Sequence, residues 1–406
     1  MSTIKDLVIL VGGRGNRLKD LTKNTPKPMM KINGQPFINI LLKNLSKYYF
    51  EKIYLIAGYK SKKFIKKYHN KKILFSKIIV ISEKKPLGTG GALSLLRNKI
   101  KSNFILMNGD SLFDINLNIF IKKSLKYLKG NIIGSIALVQ NKNYKSNNTL
   151  NNLKLSHNQI IKNSRNNQAL MNGGIYLFKK KILNNFKENK ISLENDFLKK
   201  QILMQNLIGF KFKNPFIDIG IKKNLYHFCS LNKKTSNNQK CIFLDRDGVI
   251  NKLNGYITKH ENFLISNGVE KAISFLNKQN ILVIIITNQS AIARGYISEN
   301  QLEKIHKFFC NKIKLSNGSF INDIYYCAFL KDAKIKKYKK DSYLRKPKPG
   351  MILNALKDWQ LKKRNCYMIG DQITDKMAAQ RAGVRFYFKN KNSLFTQVKK
   401  IYKIKT

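Results

Sequence analysis

Acidic side chains are scarce in this chain: 22 Asp and Glu stand against 78 Lys and Arg, a formal charge of +56 over 406 residues. So large an excess first raises nucleic-acid binding. The lysines are spread along the whole chain, however, and Asn and Ile rise with them. No helix-turn-helix and no aromatic-basic RNA motif interrupts the spread. The excess therefore reads as compositional rather than as a nucleic-acid signature, although a positive field still draws sugar phosphates and nucleotides. Cysteine is also sparse. Cys229, Cys241, Cys310, Cys327 and Cys366 form no CxxC pair, which argues against a disulfide framework or a zinc cluster and fits reduced thiols in a cytoplasm. No apolar run is long enough to span a bilayer, and the N-terminus enters the strand-like run Leu7–Val11 with no basic leader and cleavage site ahead of it. The expectation is a cytoplasmic protein with no membrane partner.

At 406 residues the chain suits two cores. Apolar runs alternate with helix-like stretches: Leu7–Val11, Ile53–Ala57, Ile78–Ile81, Phe104–Met107 and Ile133–Val139, then Cys241–Leu244, Ile281–Ile286, Ile324–Phe329, Cys366–Ile369 and Arg385–Phe388. Continuous apolar strands separated by amphipathic segments predict α/β domains, each a mainly parallel sheet with helices on both faces. The stretch Asn232–Lys240 is polar and without hydrophobic period, so it reads as a linker. The division is then 1–230, a linker 231–240, and 241–406. The Asn-rich stretch Asn141–Asn152 reads as a surface loop.

In the first half, Gly12-Gly13-Arg14-Gly15 follows a strand and precedes a helical pattern. Glycines there let backbone approach phosphate. The spacing is neither GxGxxG nor a Walker A loop, and alone it marks only a tight turn. Its neighbours add weight. Arg17 and Lys27 supply cations, and Pro26 and Pro28 stiffen the backbone around Lys27. Asp110, in Asn108-Gly109-Asp110, ends a strand where α/β sheets place ligands, and suits Mg²⁺ carrying triphosphate oxygens. Asp218, in Phe216-Ile217-Asp218, is a candidate second ligand.

With Pro86–Ala92 and Met171-Asn172-Gly173-Gly174-Ile175-Tyr176, this ordered set resembles the sugar-1-phosphate nucleotidyltransferases, and among them the heptose-1-phosphate guanylyltransferases, over residues 1–228. The resemblance implies a Rossmann-like domain in which Gly12, Gly13, Gly15 and Arg17 hold a triphosphate. It places Gly88 and Thr89 near the base, Asp110 and Asp218 on metal, Asn172 and Gly173 at the sugar, and Glu194 and Asp196 close by. One departure stands out: the Glu-Lys pair usual before Asn-Gly-Gly is replaced by Ile161-Lys162-Asn163-Ser164-Arg165. Lys162 or Arg165 would have to serve instead.

In the second half, Asp245-Arg246-Asp247-Gly248 follows a strand. Two carboxylates at this spacing suit a nucleophile, Asp245, and a general acid/base, Asp247, with both sharing Mg²⁺. Thr287 and Asn288 follow the next strand and can meet phosphoryl oxygens. Arg345 and Lys346 supply cations. The segment Gly370–Asp375, with Asp371 foremost, supplies further carboxylate for the metal. The order resembles the haloacid-dehalogenase-like phosphatases over residues 240–390. Asp245–Asn251, Thr287–Tyr296 and Arg345–Met351 narrow it to the heptose-1,7-bisphosphate 7-phosphatases, with histidinol-phosphate phosphatases as near relatives. The resemblance makes Thr287 and Lys346 phosphate binders, Asp371 a metal ligand, and Arg294 and Arg345 substrate contacts. The zinc loop common in those relatives is reduced to Cys327, so no structural zinc is expected. His260 and His306 read as surface or helix residues rather than ligands.

Together the halves predict a bifunctional enzyme of nucleotide-activated heptose synthesis. It would remove the 7-phosphate of heptose 1,7-bisphosphate and then transfer GMP from GTP to heptose 1-phosphate. Its partners are small sugar phosphates and GTP, and homo-oligomer formation is left open. The rivals are the same two reactions on another sugar or base, a histidinol-phosphate-type phosphatase, and a basic binding protein with worn enzyme domains.

Overall fold

The computed structural model describes residues 4–15, 18, 22–140, 150, 152–162, 169–253, 255–391 and 393–402. Arg17, Arg165 and nearly all of the 141–152 stretch fall outside the described residues, as does the side chain of Lys162. The chain divides into two compact units, Met1–Leu231 and Asn232–Thr406. No helix among the described residues is long and apolar enough to cross a membrane.

The first unit is built on ten strands: β1 (Asp6–Leu10), β2 (Lys52–Ala57), β3 (Lys72–Ile73), β4 (Ser76–Ser82), β5 (Phe104–Asn108), β6 (Gly134–Gln140), β7 (Leu153–Ser156), β8 (Gln159–Lys162), β9 (Leu170–Phe178) and β10 (Leu207–Phe212). Their order in the sheet is β7-β8-β10-β6-β9-β5-β1-β2-β4-β3. The run β5-β1-β2-β4 is parallel. β9 enters antiparallel between β5 and β6, so this half of the sheet is mixed. Both faces are covered. Leu7, Ile9 and Val11 face one core with Ile38, Leu41, Leu42 and Leu45 of the helix Phe37–Ser46, whose apolar positions recur at helical spacing. Val8 faces the other core, with Leu93, Leu96, Ile182 and Leu198.

The second unit has five parallel strands, β11 (Cys241–Leu244), β12 (Leu282–Asn288), β13 (Asp323–Cys327), β14 (Cys366–Gly370) and β15 (Arg385–Phe388), in the order β13-β12-β11-β14-β15. Phe243, Ile284 and Met368 pack under Met351, Ile352 and Ala355 of the helix Gly350–Asp358 and under Ala378 and Ala379 of the helix Ile373–Ala382. Ile242, Leu244, Val283 and Ile285, pointing the opposite way, are equally buried.

The chain leaves β1 to one side for β2 and later returns on the other as β5. It does the same around β11, with β12 on one side and β14 on the other. Such switch points open a crevice at the carboxyl ends of the strands. Gly12, Asp110, Asp245 and Asp371 all lie just past those ends.

The segment read as a linker is helical to Asn238, as the end of the helix Lys222–Asn238. It contains neither Pro nor Gly, and Lys, Asn and Gln can continue a helix that tertiary contacts have started.

Candidate active sites

A cavity of about 560 Å³ opens beyond β1 and β5, and Gly12, Gly13, Arg14, Lys27, Gly88, Thr89, Asp110 and Glu194 are among the residues lining it. A side chain at Gly12 would run into Glu83 and the backbone of Gly58, whereas nothing stands near Gly13. The turn thus presents bare backbone to the cavity. Gly15 sits at φ 70°, packed on Thr22 and Lys27. Lys27 is buried, and its Nζ lies 2.5 Å from Asp110 Oδ2 and 3.3 Å from Asp218 Oδ1. Asp218 also accepts from Gly220 N at 2.6 Å. The ribbon pairing Phe216–Asp218 with Ser111–Phe113 brings these distant carboxylates together.

Thr89 and Glu194 meet across the cavity edge, with Thr89 Oγ1 donating to Glu194 Oε2 at 2.9 Å. Asp196 instead accepts from Ser192 N at 2.7 Å, a local helix cap. Asn172 and Gly173 are not among the cavity-lining residues. Asn172 donates to Tyr176 OH at 2.6 Å and accepts from Gly174 N at 3.0 Å, stitching a bulge in β9, while Gly173 is pressed against the Phe113 ring. Sequence reasoning missed Glu83, which lines the cavity and accepts from Leu87 N at 3.0 Å. Burial pushes its carboxyl above the usual range.

The second unit gathers Asp245, Asp371 and Asp375, each offering an oxygen within 4.8 Å of the others. Lys346, buried, lies 2.8 Å from Asp245 Oδ1 and 2.5 Å from Asp375 Oδ1, and donates to Ile286 O at 3.1 Å. Burial works against its charge, but Asp245 and Asp375 outweigh that and hold its pKa above the ordinary lysine value. Burial also pushes Asp245 up to about 7; Lys346 opposes the rise and Asp375 adds to it. Asp371 Oδ1 is buried with no hydrogen-bond partner. An orphaned carboxylate oxygen facing two more carboxylates fits a hard divalent cation. Gly248, at φ 84°, leaves the space that Asp371 fills.

Asp247 stands outside this acidic group. Arg246 Nη2 donates to both its oxygens, at 2.7 and 2.8 Å, and Gln289 and Asn251 donate at 2.9 and 3.1 Å. The third carboxylate of the cluster is Asp375, which also caps the helix Ile373–Ala382. Thr287 is buried and accepts from Gln289 at 2.9 Å. Asn288 makes two 3.1 Å bonds to the backbone of Lys346, so it positions that lysine. Arg345 donates to Phe329 O at 3.3 Å. Arg294 is exposed, with its guanidinium 6.0 Å from the Tyr256 ring centre.

The Cys327 thiol is buried, and burial raises its pKa; among the described residues the one group of three or more Asp, Glu, His or Cys placed to hold a metal is the aspartate cluster. His260 is half-buried, beside Glu261 and edge-on to the Phe308 ring. His306 is a helix residue but a buried one, against Arg246.

Both sites set backbone or buried lysine against carboxylates at a strand switch point, the arrangement of α/β domains that handle phosphorylated small molecules. A nucleotidyl transferase family model matches residues 7–231, and a haloacid dehalogenase-like hydrolase model matches residues 147–383. The chain belongs to both families, a nucleotidyl transferase and a haloacid dehalogenase-like hydrolase in one polypeptide. It is 36% identical over 230 residues to D-glycero-alpha-D-manno-heptose 1-phosphate guanylyltransferase of Campylobacter jejuni, covering 54% of this chain and 97% of that protein. It is 37% identical over 147 residues to D-glycero-beta-D-manno-heptose-1,7-bisphosphate 7-phosphatase of Haemophilus ducreyi, covering 36% of this chain and 80% of that protein. The crystal structure of HddC from Yersinia pseudotuberculosis is 32% identical, with 56% of this chain and all of that one covered, at a TM-score of 0.47.

Proposed function

We propose that this chain carries out two consecutive steps of GDP-heptose synthesis in the cytoplasm. Residues 241–406 remove the 7-phosphate from heptose 1,7-bisphosphate. Residues 1–230 join the resulting 1-phosphate to GMP from GTP, releasing pyrophosphate. The observation that carries the reading is the coexistence on one chain of the Lys346-bridged aspartate cluster and the glycine-lined cavity, in units similar to heptose-1,7-bisphosphate 7-phosphatases of both anomers and to an alpha-heptose 1-phosphate guanylyltransferase.

In the phosphatase step Asp245 attacks phosphorus as the bond to the sugar oxygen breaks. Asp247 gives that oxygen a proton and then takes one from the water that hydrolyses the aspartyl phosphate. Lys346 and Thr287 hold phosphoryl oxygens, with Arg294 and Arg345 toward the rest of the substrate. Asp245, Asp371 and Asp375 would hold Mg²⁺, which would neutralise charge at the attacking carboxylate and the phosphate.

In the transfer step an oxygen of the sugar 1-phosphate attacks the α-phosphorus in line. Backbone at Gly12, Gly13 and Gly15, with Arg17 and Lys27, holds the triphosphate. Asp110 and Asp218 would hold Mg²⁺. Gly88 and Thr89 would face the base and Glu194 the sugar, while Asn172 and Gly173 shape the β9 bulge rather than the cavity wall. Catalysis here is positioning and charge neutralisation.

Phosphate release from heptose 1,7-bisphosphate, compared with release from histidinol phosphate, tests the reading. Turnover of the heptose substrate at least tenfold above the other supports it; the reverse ranking assigns the second unit to the rival substrate.

A further inference from the structure

Arg246 stands between Asp245 and Asp247 in sequence and is only 2% exposed. Its planar fork grips Asp247. The nitrogen left over, Nη1, lies 3.2 Å from Nε2 of His306, sixty residues away on the helix Glu299–Asn317. Arginine keeps its proton and can only donate, so this contact uses the lone pair of a neutral imidazole. Burial, then the Arg246 charge, holds His306 well below its usual pKa and preserves that lone pair. The ring is fixed by edge contacts to Phe309 at 5.7 Å and Tyr326 at 6.1 Å, and Phe263 lies 5.9 Å from the guanidinium. The other buried positions of this helix are Leu302, Ile305, Phe309, Cys310 and Ile313. A packing role alone would be met by another apolar side chain; an imidazole there accepts from the guanidinium nitrogen that Asp247 leaves over.

We propose that His306 is a positioning residue of the phosphatase site: it fixes Arg246, whose fork holds the Asp247 carboxylate in the orientation needed for proton transfer. The chain of contact runs His306 Nε2, Arg246 Nη1, Arg246 Nη2, Asp247, and Gln289 and Asn251 also donate to the two Asp247 oxygens. The inference rests on Asp247 being the acid/base. A misaligned acid/base slows the chemical step and leaves substrate binding alone, because proton transfer demands near-ideal geometry.

The test is steady-state phosphate release from the sugar bisphosphate by the full chain, with each variant's melting transition recorded. His306→Leu keeps volume and loses the acceptor; kcat should fall about 10–100-fold with KM within about threefold of the parent. His306→Gln places an amide oxygen near the lost Nε2 and should restore kcat to within about threefold. A kcat for His306→Leu within about threefold of the parent overturns the proposal, as does a glutamine variant no better than the leucine one. If leucine unfolds the unit, Arg246→Lys serves: the charge stays, the fork is lost, and kcat should fall with KM held, while unchanged kcat again overturns the idea. Asp247→Asn run in parallel separates the two readings. Full turnover there removes Asp247 from acid/base work altogether, whereas its loss beside normal turnover in His306→Leu refutes the positioning role alone.

Discussion

Lys27 Nζ bridges Asp110 Oδ2 at 2.5 Å and Asp218 Oδ1 at 3.3 Å, so one buried ammonium joins two carboxylates 108 residues apart in the chain. A site that gathers opposite charges this closely is organised before any nucleotide arrives. Asp110→Ala or Asp218→Ala should lower pyrophosphate release about 10²–10³-fold, the scale of losing one preorganised electrostatic contact. Unchanged release from Asp110→Ala would remove that carboxylate from the reaction.

Asp245→Asn should abolish phosphate release, since an amide is a far poorer nucleophile than a carboxylate. The transfer activity of the same protein should persist when heptose 1-phosphate is supplied. Near-normal phosphate release would sink the assignment of Asp245.

The same substitution should change stability with a definite sign. The native pKa of Asp245, about 7, stands above the ordinary carboxylate value. Its contribution to stability is therefore fully present at low pH and is lost as pH rises through about 7. Without divalent metal, Asp245→Asn should melt higher than the parent at pH 8, by about 2–4 °C for each kcal/mol regained, with the gain gone by pH 4. A difference that grows toward acid would contradict the burial argument.

Gly248→Ala should cripple the phosphatase. The backbone there is left-handed at φ 84°, and the added methyl would meet the Asp371 carboxylate. Phosphate turnover should fall at least about tenfold and stability by about 1–3 kcal/mol. Wild-type turnover at wild-type metal concentration would show that Asp371 does not need its observed position.

Purified protein should carry no tightly held zinc, because Cys327 lacks partner ligands among the described residues. Stoichiometric zinc surviving a chelator would show ligation that the buried thiol does not suggest.

The parallel strands were legible because a strand buried on both faces is apolar throughout, and β11, buried at all four positions, falls where the apolar run places it. β9 was not legible. It carries Asn172-Gly173-Gly174, and Gly174 at φ 69° with a bulge before Tyr176 writes turn chemistry into the middle of a strand. The catalytic-looking aspartates were legible because each follows a strand. Asp375 stood in a segment expected to supply carboxylate, but its rank over Asp247 in the acidic cluster depends on how the helix Ile373–Ala382 turns back toward Lys346. Arg246 and His306 were hidden for a related reason: one looked like a spacer, the other like an ordinary helix residue, and only the packed fold puts them 3.2 Å apart.

The most direct test is to incubate the full chain with heptose 1,7-bisphosphate, GTP and Mg²⁺ and to identify the products by mass. The expected products are GDP-heptose, phosphate and pyrophosphate, with heptose 1-phosphate appearing first and then being consumed. Recovery of intact bisphosphate and GTP, or a nucleotide sugar that still bears the 7-phosphate, would contradict the two-step account.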